Sequence, residues 1–353
     1  MRFYSIIITD AKTGALYTPP GFGNLLGNQS YGSYANGQTL PSAWNVEIDI
    51  AIINAATPAN FGTVRIWGIS LQEISQANNL AGKNIKVFAG MAKGLPLANP
   101  AEQGLICQGK IFQAFGNWIG TAMTLDLVVM PGPFATSSNT GGVGTLGKPK
   151  NIVLNWKAGT PFGQAIQNAL QTAYPGAQIT LGNINPNIAT PAPGQFGKYP
   201  TIEEFGWIVQ QLSKNSIDPN GTQGYPGVMI VVTSQGGFLI SDNSNPQTGN
   251  AKQIAFQDLI GQPTWIEAGM ISMKTVMRGD LTVFQQVTLP PYLIKNTQAA
   301  NSSLVNLKAT FQGGFWIHDI HHYGDFRQPS ADAWVTVFTL APNQQVLASN
   351  PPL

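Results

Sequence analysis

The side chains best suited to do chemistry are clustered. All three histidines of the chain fall within "FWIHDIHHYG" (315–324), as His318, His321 and His322, with Asp319 among them. Imidazole and carboxylate groups bind divalent metals, and on a helix these histidines would share one turn and could converge on a cation, as in metalloproteases. The backbone period decides the matter. Gly313-Gly314 and Gly324 bracket a stretch rich in aromatic and β-branched residues, which predicts a strand. On a strand His318 and His322 face one side and Asp319 and His321 the other. At a rise of about 3.3 Å per residue the first pair is roughly 13 Å apart. A zinc ligand must sit about 2 Å from the ion, so one ion cannot bridge them. With a single cysteine in the chain, further ligands would have to be carboxylates. Packed or exposed strand histidines are the simpler reading, and no metal ligand is assigned.

Other chemical signals fail on context. Gly142-Val143-Gly144-Thr145-Leu146-Gly147-Lys148 fits a dinucleotide fingerprint and the start of a phosphate-binding loop. Both need a strand before and a helix after, so that amides and a helix N-terminus meet the phosphate. Here a Pro/Ser/Asn-rich stretch precedes, Pro149 follows, and "NIVLNW" beyond it reads as a strand. "SDN" at 241–243 echoes a β-lactamase element without the accompanying Ser-x-x-Lys, and "VTSQGG" is not a nucleophile elbow. Cys107 lies in a predicted strand, where a buried, inert thiol is the default. Glu203 and Glu204 open a helix and complement its dipole. No carboxylate pair is singled out for glycoside cleavage. No catalytic, cofactor-binding or metal-binding residue is expected, and no cofactor.

Composition points elsewhere. The chain has 353 residues, enough for two or three domains, and 43% are hydrophobic, enough to bury cores. Only 10% are charged, against about 25% in ordinary globular proteins. With a net charge of +2 and scattered Lys and Arg, no basic stripe for nucleic acid is present. A surface of Asn, Gln, Ser and Thr suits large permanent protein contacts, because few ions need desolvation. One cysteine excludes an intrachain disulfide. The N-terminus lacks a signal-peptide apolar core, and no apolar run of about 18 residues implies membrane insertion, so synthesis in a reducing cytoplasm is expected.

The elements that would hold any site are mostly strands. In "WNVEIDIAII" (44–53), Val46, Ile48, Ile50 and Ile52 alternate with Asn45, Glu47, Asp49 and Ala51, the pattern of a half-buried strand. "TVRIWGI" is a second strand. "SLQEISQANNL" follows as a short helix with Leu71, Ile74 and Leu80 on one face and a Ser70/Glu73 capping box. "NIKVFAG", "GLICQGKIFQAF" and "TAMTLDLVVM" complete a small curved β unit. Residues 131–150 read as a Gly/Pro/Ser linker. Next come a helix with Thr160 at the N-cap and Pro161 at its first position, and a second capped by Thr201 and Glu204 with Ile202, Phe205, Ile208 and Leu212 as its apolar face. A hairpin turning at Gln235-Gly236-Gly237 ends this α+β block. Strand texture then returns in "WIEAGMISMKTVM", "DLTVFQQVTLP", "LVNLKATF", "GFWIHDIHHYG" and "ADAWVTVFTLA".

The order of these segments resembles the bacteriophage tail baseplate hub family. "VRIWGISLQEISQANNLAGKNIKVFAGMAKGLP" with "GLICQGKIFQAFGNW" is similar to that family's first tube-like domain. "IGQPTWIEAGMISMKTVMRGDLTVFQQVTLPP" and "GGFWIHDIHHYGDFRQPSADAWVTVFTLAP" are similar to its second barrel, and His321 matches a structural histidine before a turn. The resemblance implies a mainly β fold with an α+β insert, two tail-tube-like β-barrel domains (1–130 and 256–345) flanking a linker (131–150) and a small α+β domain (151–255), with a tail at 346–353. It further implies a non-enzymatic homotrimer in the virion tail baseplate: a pseudo-sixfold ring between the tail tube protein and the central spike protein. The tape-measure protein and neighbouring baseplate proteins would touch it, and DNA would pass through without specific binding. The alternatives are a tail-associated cell-wall hydrolase, for which zymography discriminates, and a receptor-binding tail protein, which would favour long repeats and a trimeric stalk.

Overall fold

Alternation of apolar and polar residues governs most of the chain. The computed structural model describes residues 1–22, 26–35, 37–52, 61–92, 99–132, 151–190, 194–222, 224–242, 251–267, 270–290 and 314–342. The first part contributes β1 (Arg2–Thr9), β2 (Tyr31–Gly32), the small pair β3 (Tyr34–Ala35) and β4 (Gln38–Thr39), then β5 (Asn45–Ile52) and β6 (Gly62–Trp67). Helix α1 (Leu71–Gln76) leads to β7 (Asn84–Met91) and the hairpin of β8 (Gly104–Ile119) and β9 (Ala122–Pro131). The middle block holds β10 (Ile152–Lys157), α2 (Phe162–Ala173), β11 (Ile179–Leu181), β12 (Gly194–Tyr199), α3 (Ile202–Ile217), β13 (Met229–Val232) and β14 (Phe238–Ser241). The last part is β15 (Lys252–Gln253), β16 (Thr264–Glu267), β17 (Met270–Val276), β18 (Gln286–Thr288), β19 (Gly314–Asp325) and β20 (Trp334–Pro342). The protein is therefore mainly β.

The first and last parts form one curled sheet in the order β16-β17-β20-β19-β5-β6-β9-β8-β7-β1-β2, with β18 also paired to β19 and β15 to β18. Two runs within it repeat the same connectivity. In β5-β6-β9-β8 and in β16-β17-β20-β19, the second strand of one hairpin pairs with the second strand of the next, leaving the first strand of that second hairpin outside. Each outside strand pairs antiparallel with the strand before it, β7 with β8 and β18 with β19. Each also carries a one-residue irregularity against its hairpin partner, between Ile111 and Gln113 in β8 and between Ile317 and Asp319 in β19. The runs meet at an antiparallel ladder from Ile320↔Ile52 to Asp325↔Glu47.

One face of this sheet is dry. Val46, Ile48 and Ile50 of β5 pack with Tyr4, Ile6, Ile8, Val64, Ile66, Val87 and Leu127 in a core for the first run. Ile271, Met273, Phe315, Ile317, Phe338 and Leu340 build another for the second. A third core belongs to the middle block, where Ile152, Leu154 and Trp156 of β10 meet Phe162, Ile166 and Leu170 of α2 and Phe205 and Val209 of α3. Trp316 and Ala341 reach into it from β19 and β20, so both faces of β19 are buried at its start. This explains the unbroken apolar run "FWI" at 315–317, where a half-exposed strand would alternate.

Several sequence expectations are corrected. Thr160 is not the N-cap of α2: Pro161 occupies that position with φ −56° and ψ 138°, no side chain caps the helix, and the Thr160 carbonyl instead accepts from Trp156 Nε1 at 2.8 Å. The Ser70/Glu73 box is formed, but Leu71 is 55% exposed, because the helix gives way after Gln76 to a 3-10 turn that buries Ala77 and Leu80. On α3 Thr201 accepts from the Glu204 amide, and the dry face centres on Phe205 and Val209, with Ile208 at its border. "WIEAGMISMKTVM" supplies two paired strands, β16 and β17, and only Gln286–Thr288 of "DLTVFQQVTLP" forms a strand. The Gly142–Lys148 loop, "LVNLKATF" and the 346–353 tail lie outside the described residues. Among those described, no helix is long and apolar enough to cross a membrane.

Candidate functional site

The predicted histidine strand is β19, the strand that joins the two runs. Its irregularity falls at His318, which skips pairing with β20, so the strict alternation expected of His318 and His322 is broken there. His318 lies beside Trp316, ring centroids 5.2 Å apart, and its Nδ1 is 2.9 Å from Asp319 Oδ2. Beyond the bulge Ile320, His322 and Gly324 turn to the dry side, and Asp319, His321 and Tyr323 away from it. His322 is buried with Nδ1 3.0 Å from Thr336 Oγ1. Burial, reinforced by the neighbouring His321, pushes its pKa down to about 3, so the ring is neutral near pH 7. His321 points outward with Nε2 2.6 Å from Asp49 Oδ1, across the joining ladder. The three imidazoles do not converge, and no group of three or more His, Cys, Asp or Glu among the described residues could hold a metal. Cys107 is buried in β8, and desolvation raises its thiol to about 12, which leaves no reactive thiolate.

The outward face beside the joint is polar and mostly acidic. Cross-strand register lines up Asp325, Glu47, Arg65 and Asp126 on β19, β5, β6 and β9. Arg65 Nε is 2.5 Å from Asp126 Oδ1 and its Nη1 3.5 Å from Glu47 Oε2, while Asn117 Nδ2 donates to Asp126 at 2.6 Å. Such half-exposed pairs contribute about 0–1 kcal/mol each, so they shape the charge of the face more than its stability. With Asp49 and Asp319 on the same face, carboxylates outnumber cations.

On the other side of the joint the two runs are tied by side chains that gave no sign in the sequence. Arg278, 1% exposed, follows β17 and reaches Asp258 (Nη1, 3.3 Å), Asp280 (Nε, 2.7 Å) and, from the first run, Glu102 (Nη2, 3.4 Å). Burial raises the Glu102 carboxyl against the pull of Arg278. Burial would do the same to Asp280, yet hydrogen bonds from Arg278 and Lys252 hold it below the usual carboxylate range. Beside this cluster Gly104 and Gly279 touch backbone to backbone: a Cβ on Gly104 would lie 2.4 Å from the Gly279 carbonyl oxygen, so neither position has room for a side chain. Arg2 donates to the carbonyls of Asp325 (2.7 Å), Phe326 (3.0 Å), Gln328 and Ser330 (2.7 Å). Trp334 of β20 sits in the core of the first run and donates from Nε1 to the Gly90 carbonyl at 3.0 Å. Gly324 makes room for that indole, since a Cβ there would come within 2.6 Å of it. An arginine in "VMRGDL" looks like any surface arginine until the fold encloses it.

No protein-family model and no curated protein matches the chain by sequence. Solved structures do match in outline. The 43 kDa tail protein of prophage MuSo2 from Shewanella oneidensis is 9% identical, with 96% of this chain and 98% of that one covered at a TM-score of 0.49. The tail protein from Neisseria meningitidis MC58 is 10% identical, covering 96% and 97% at a TM-score of 0.46. A chain of the half-lidded Francisella PdpA-VgrG complex is 8% identical, covering all of this chain and 59% of that one at a TM-score of 0.48. These structural neighbours are tail proteins and a VgrG-containing complex.

Proposed function

We propose that this chain is a structural hub of a phage tail baseplate, acting as a homotrimeric ring and not as an enzyme. The observation that carries the proposal is the repeated connectivity of β5-β6-β9-β8 and β16-β17-β20-β19, joined edge to edge by an antiparallel ladder. One polypeptide thus presents two like units in tandem, and three copies would present six. Such a ring can meet a sixfold tail tube protein on one side and a threefold central spike protein on the other, because it carries both symmetries. Residues 1–130 and 256–345 are assigned as the two tube-like barrels, 131–150 as the linker and 151–255 as the α+β insert.

The acidic outward face at Glu47, Asp49, Asp126, Asp319 and Asp325 is assigned to the lumen. A face with excess carboxylates does not gather phosphate, which suits DNA that must pass without being held. The low charge of the chain suits large, permanent contacts with the tube, the spike, the tape-measure protein and neighbouring baseplate proteins. The hub would be made in the host cytoplasm and act in the virion. Light scattering on the purified chain, with electron micrographs of the same fraction, tests this. Trimers with a central hole are expected; a protein that stays monomeric at micromolar concentration and shows no rings overturns it.

A further inference from the structure

We propose that copies of the chain join through the free edge of β8 in one and the free edge of β16 in the next, in a register that sets Asn117 opposite Thr264 and brings Phe115 to the irregularity at Ile266. The proposal rests on the ring reading above and names the joint that closes it.

The intrachain ladder supplies the template. β19 spends its first residues, Gly314–Trp316, on β18, passes the bulge at His318, and spends Ile320–Asp325 on β5. β8 is built the same way up to its last step. Gly104–Lys110 pair with β7, Ile111 is closed off by backbone bonds with Gly82 and Lys83 (2.8 and 2.9 Å), and the bulge follows at Phe112. From Gln113 to Ile119 the strand has β9 on one side and, among the described residues, no strand on the other. At the far end of the sheet β16 stands where β5 stands in the first run, paired, among the described residues, to β17 alone. Among the described residues each chain therefore has one unfilled edge of each kind.

The register follows from matching the ladders rung by rung. The bulges align Ile111 with Ile317 and Ala114 with Ile320, since Ile111↔Val129 corresponds to Ile317↔Leu340 and Ala114↔Leu127 to Ile320↔Phe338. The next rungs, Val129↔Gly62 and Leu340↔Ile271, align Gly62 with Ile271. Thr63↔Asp49 and Ser272↔Thr264 then align Asp49 with Thr264. Within the chain Tyr323 faces Asp49 and His321 faces Ala51. The first has its counterpart in Asn117 facing Thr264; the second brings Phe115 to the irregularity between Trp265 and Glu267, where Ile266 is skipped in the pairing with β17.

Two independent observations fit. Phe115 is 46% and Ile266 57% exposed, so the joint brings near each other two apolar side chains that each copy leaves in water. Nor do the side chains of the β8 edge protect it: "QAFGNWI" (113–119) has no charge and no proline, and it ends on the exposed Trp118 and Ile119. Natural edges of this length are blunted with charge, proline or a cover unless they pair.

The test uses the full chain with Asn117→Cys and Thr264→Cys together. Directly opposed residues in an antiparallel pair have Cα atoms about 4.5–5.5 Å apart, within disulfide reach, and the buried native Cys107 does not compete. Mild oxidation should give covalent dimers and trimers on denaturing gels, and neither single variant should do so. A trimer by light scattering without these crosslinks overturns the joint and leaves the ring standing. A monomer in every variant and in the parent overturns both. A second measurement guards against a folding defect. Phe115→Asp should raise the concentration for half-assembly by about tenfold or more, because every ring carries the change three times. Adding Ile266→Lys should recover most of that loss, and adding Trp207→Lys, at an exposed apolar site on α3 of the middle block, should not. Equal recovery by both, or by neither, overturns the register.

Discussion

The two four-strand runs share a connectivity and a bulge but not their supporting parts. The first is curled shut by β1, an eight-residue strand paired along all of β7, and by α1, whose Ile74 backbone presses on Gly116. The second has in the corresponding places β18, three residues long, and β15, two residues long, and leans instead on the middle block through Trp316 and Ala341. Equivalent positions accordingly hold different chemistry. Gly116 of β8 corresponds to His322 of β19, and the free Phe115 to the paired His321. The ladder completed within the chain carries polar, titratable residues, whereas the edge that has no second strand among the described residues carries uncharged and apolar ones. Connectivity alone does not set stability here; each run takes its support from whatever lies beside it.

The difference can be broken in order of size. Arg278→Ala should cost most, about 3–5 kcal/mol, because it strands the buried carboxylates of Glu102, Asp258 and Asp280 between the runs. Urea denaturation should also show one transition splitting into two if the clasp is what makes the runs unfold together. Ile111→Ala and Ile317→Ala remove the same side chain from equivalent, fully buried sites just before each bulge. Each should cost roughly 2–5 kcal/mol, and both should lower one shared melting transition in the parent background. A drop confined to a separate phase would show that the runs are energetically independent.

Acid should single out the second run. His322 has its pKa lowered to about 3 from an ordinary 6.5, so the unfolded chain binds its proton first. The stability this residue secures is complete above pH 6.5 and is lost as pH falls toward 3, by about 1.4 kcal/mol per unit. His322→Gln should flatten that slope in denaturation curves taken between pH 7 and 4.5. The smallest effect is expected at Ser70→Ala, where loss of the α1 cap should cost about 1 kcal/mol and lower the melting temperature by a few degrees at most.

Much of this architecture was legible in the residues. Val46, Ile48 and Ile50 alternate because one face of β5 is dry, and the Ser70/Glu73 box marks a helix start by local hydrogen bonding alone. The strand character of the histidine segment was equally plain from its flanking glycines. The bulges were not, because a bulge adds one residue without any change of composition, so His318 was placed on the wrong register. The repeat was hidden for a related reason. Ile111-Phe112-Gln113 and Ile317-His318-Asp319 play one role with little in common beyond the first isoleucine. Strand pairing depends on backbone hydrogen bonds, which carry no side-chain signature. Arg2 was missed since its partners lie far off in the chain, 323 residues away for the Arg2–Asp325 bond, and Arg278 since nothing beside it in the sequence shows that it is buried against Glu102 and Asp258 as well as the nearby Asp280.

The ladder between β19 and β5 has one mechanical consequence. Its hydrogen bonds run perpendicular to the strands, so a pull that separates the two runs across the strands loads the rungs along their own length. Arg2, Arg278 and Trp334 span the same gap through separate stretches of chain and would all have to fail as well. Within one chain these three tethers, and not the ladder alone, would set the load at which the two runs part.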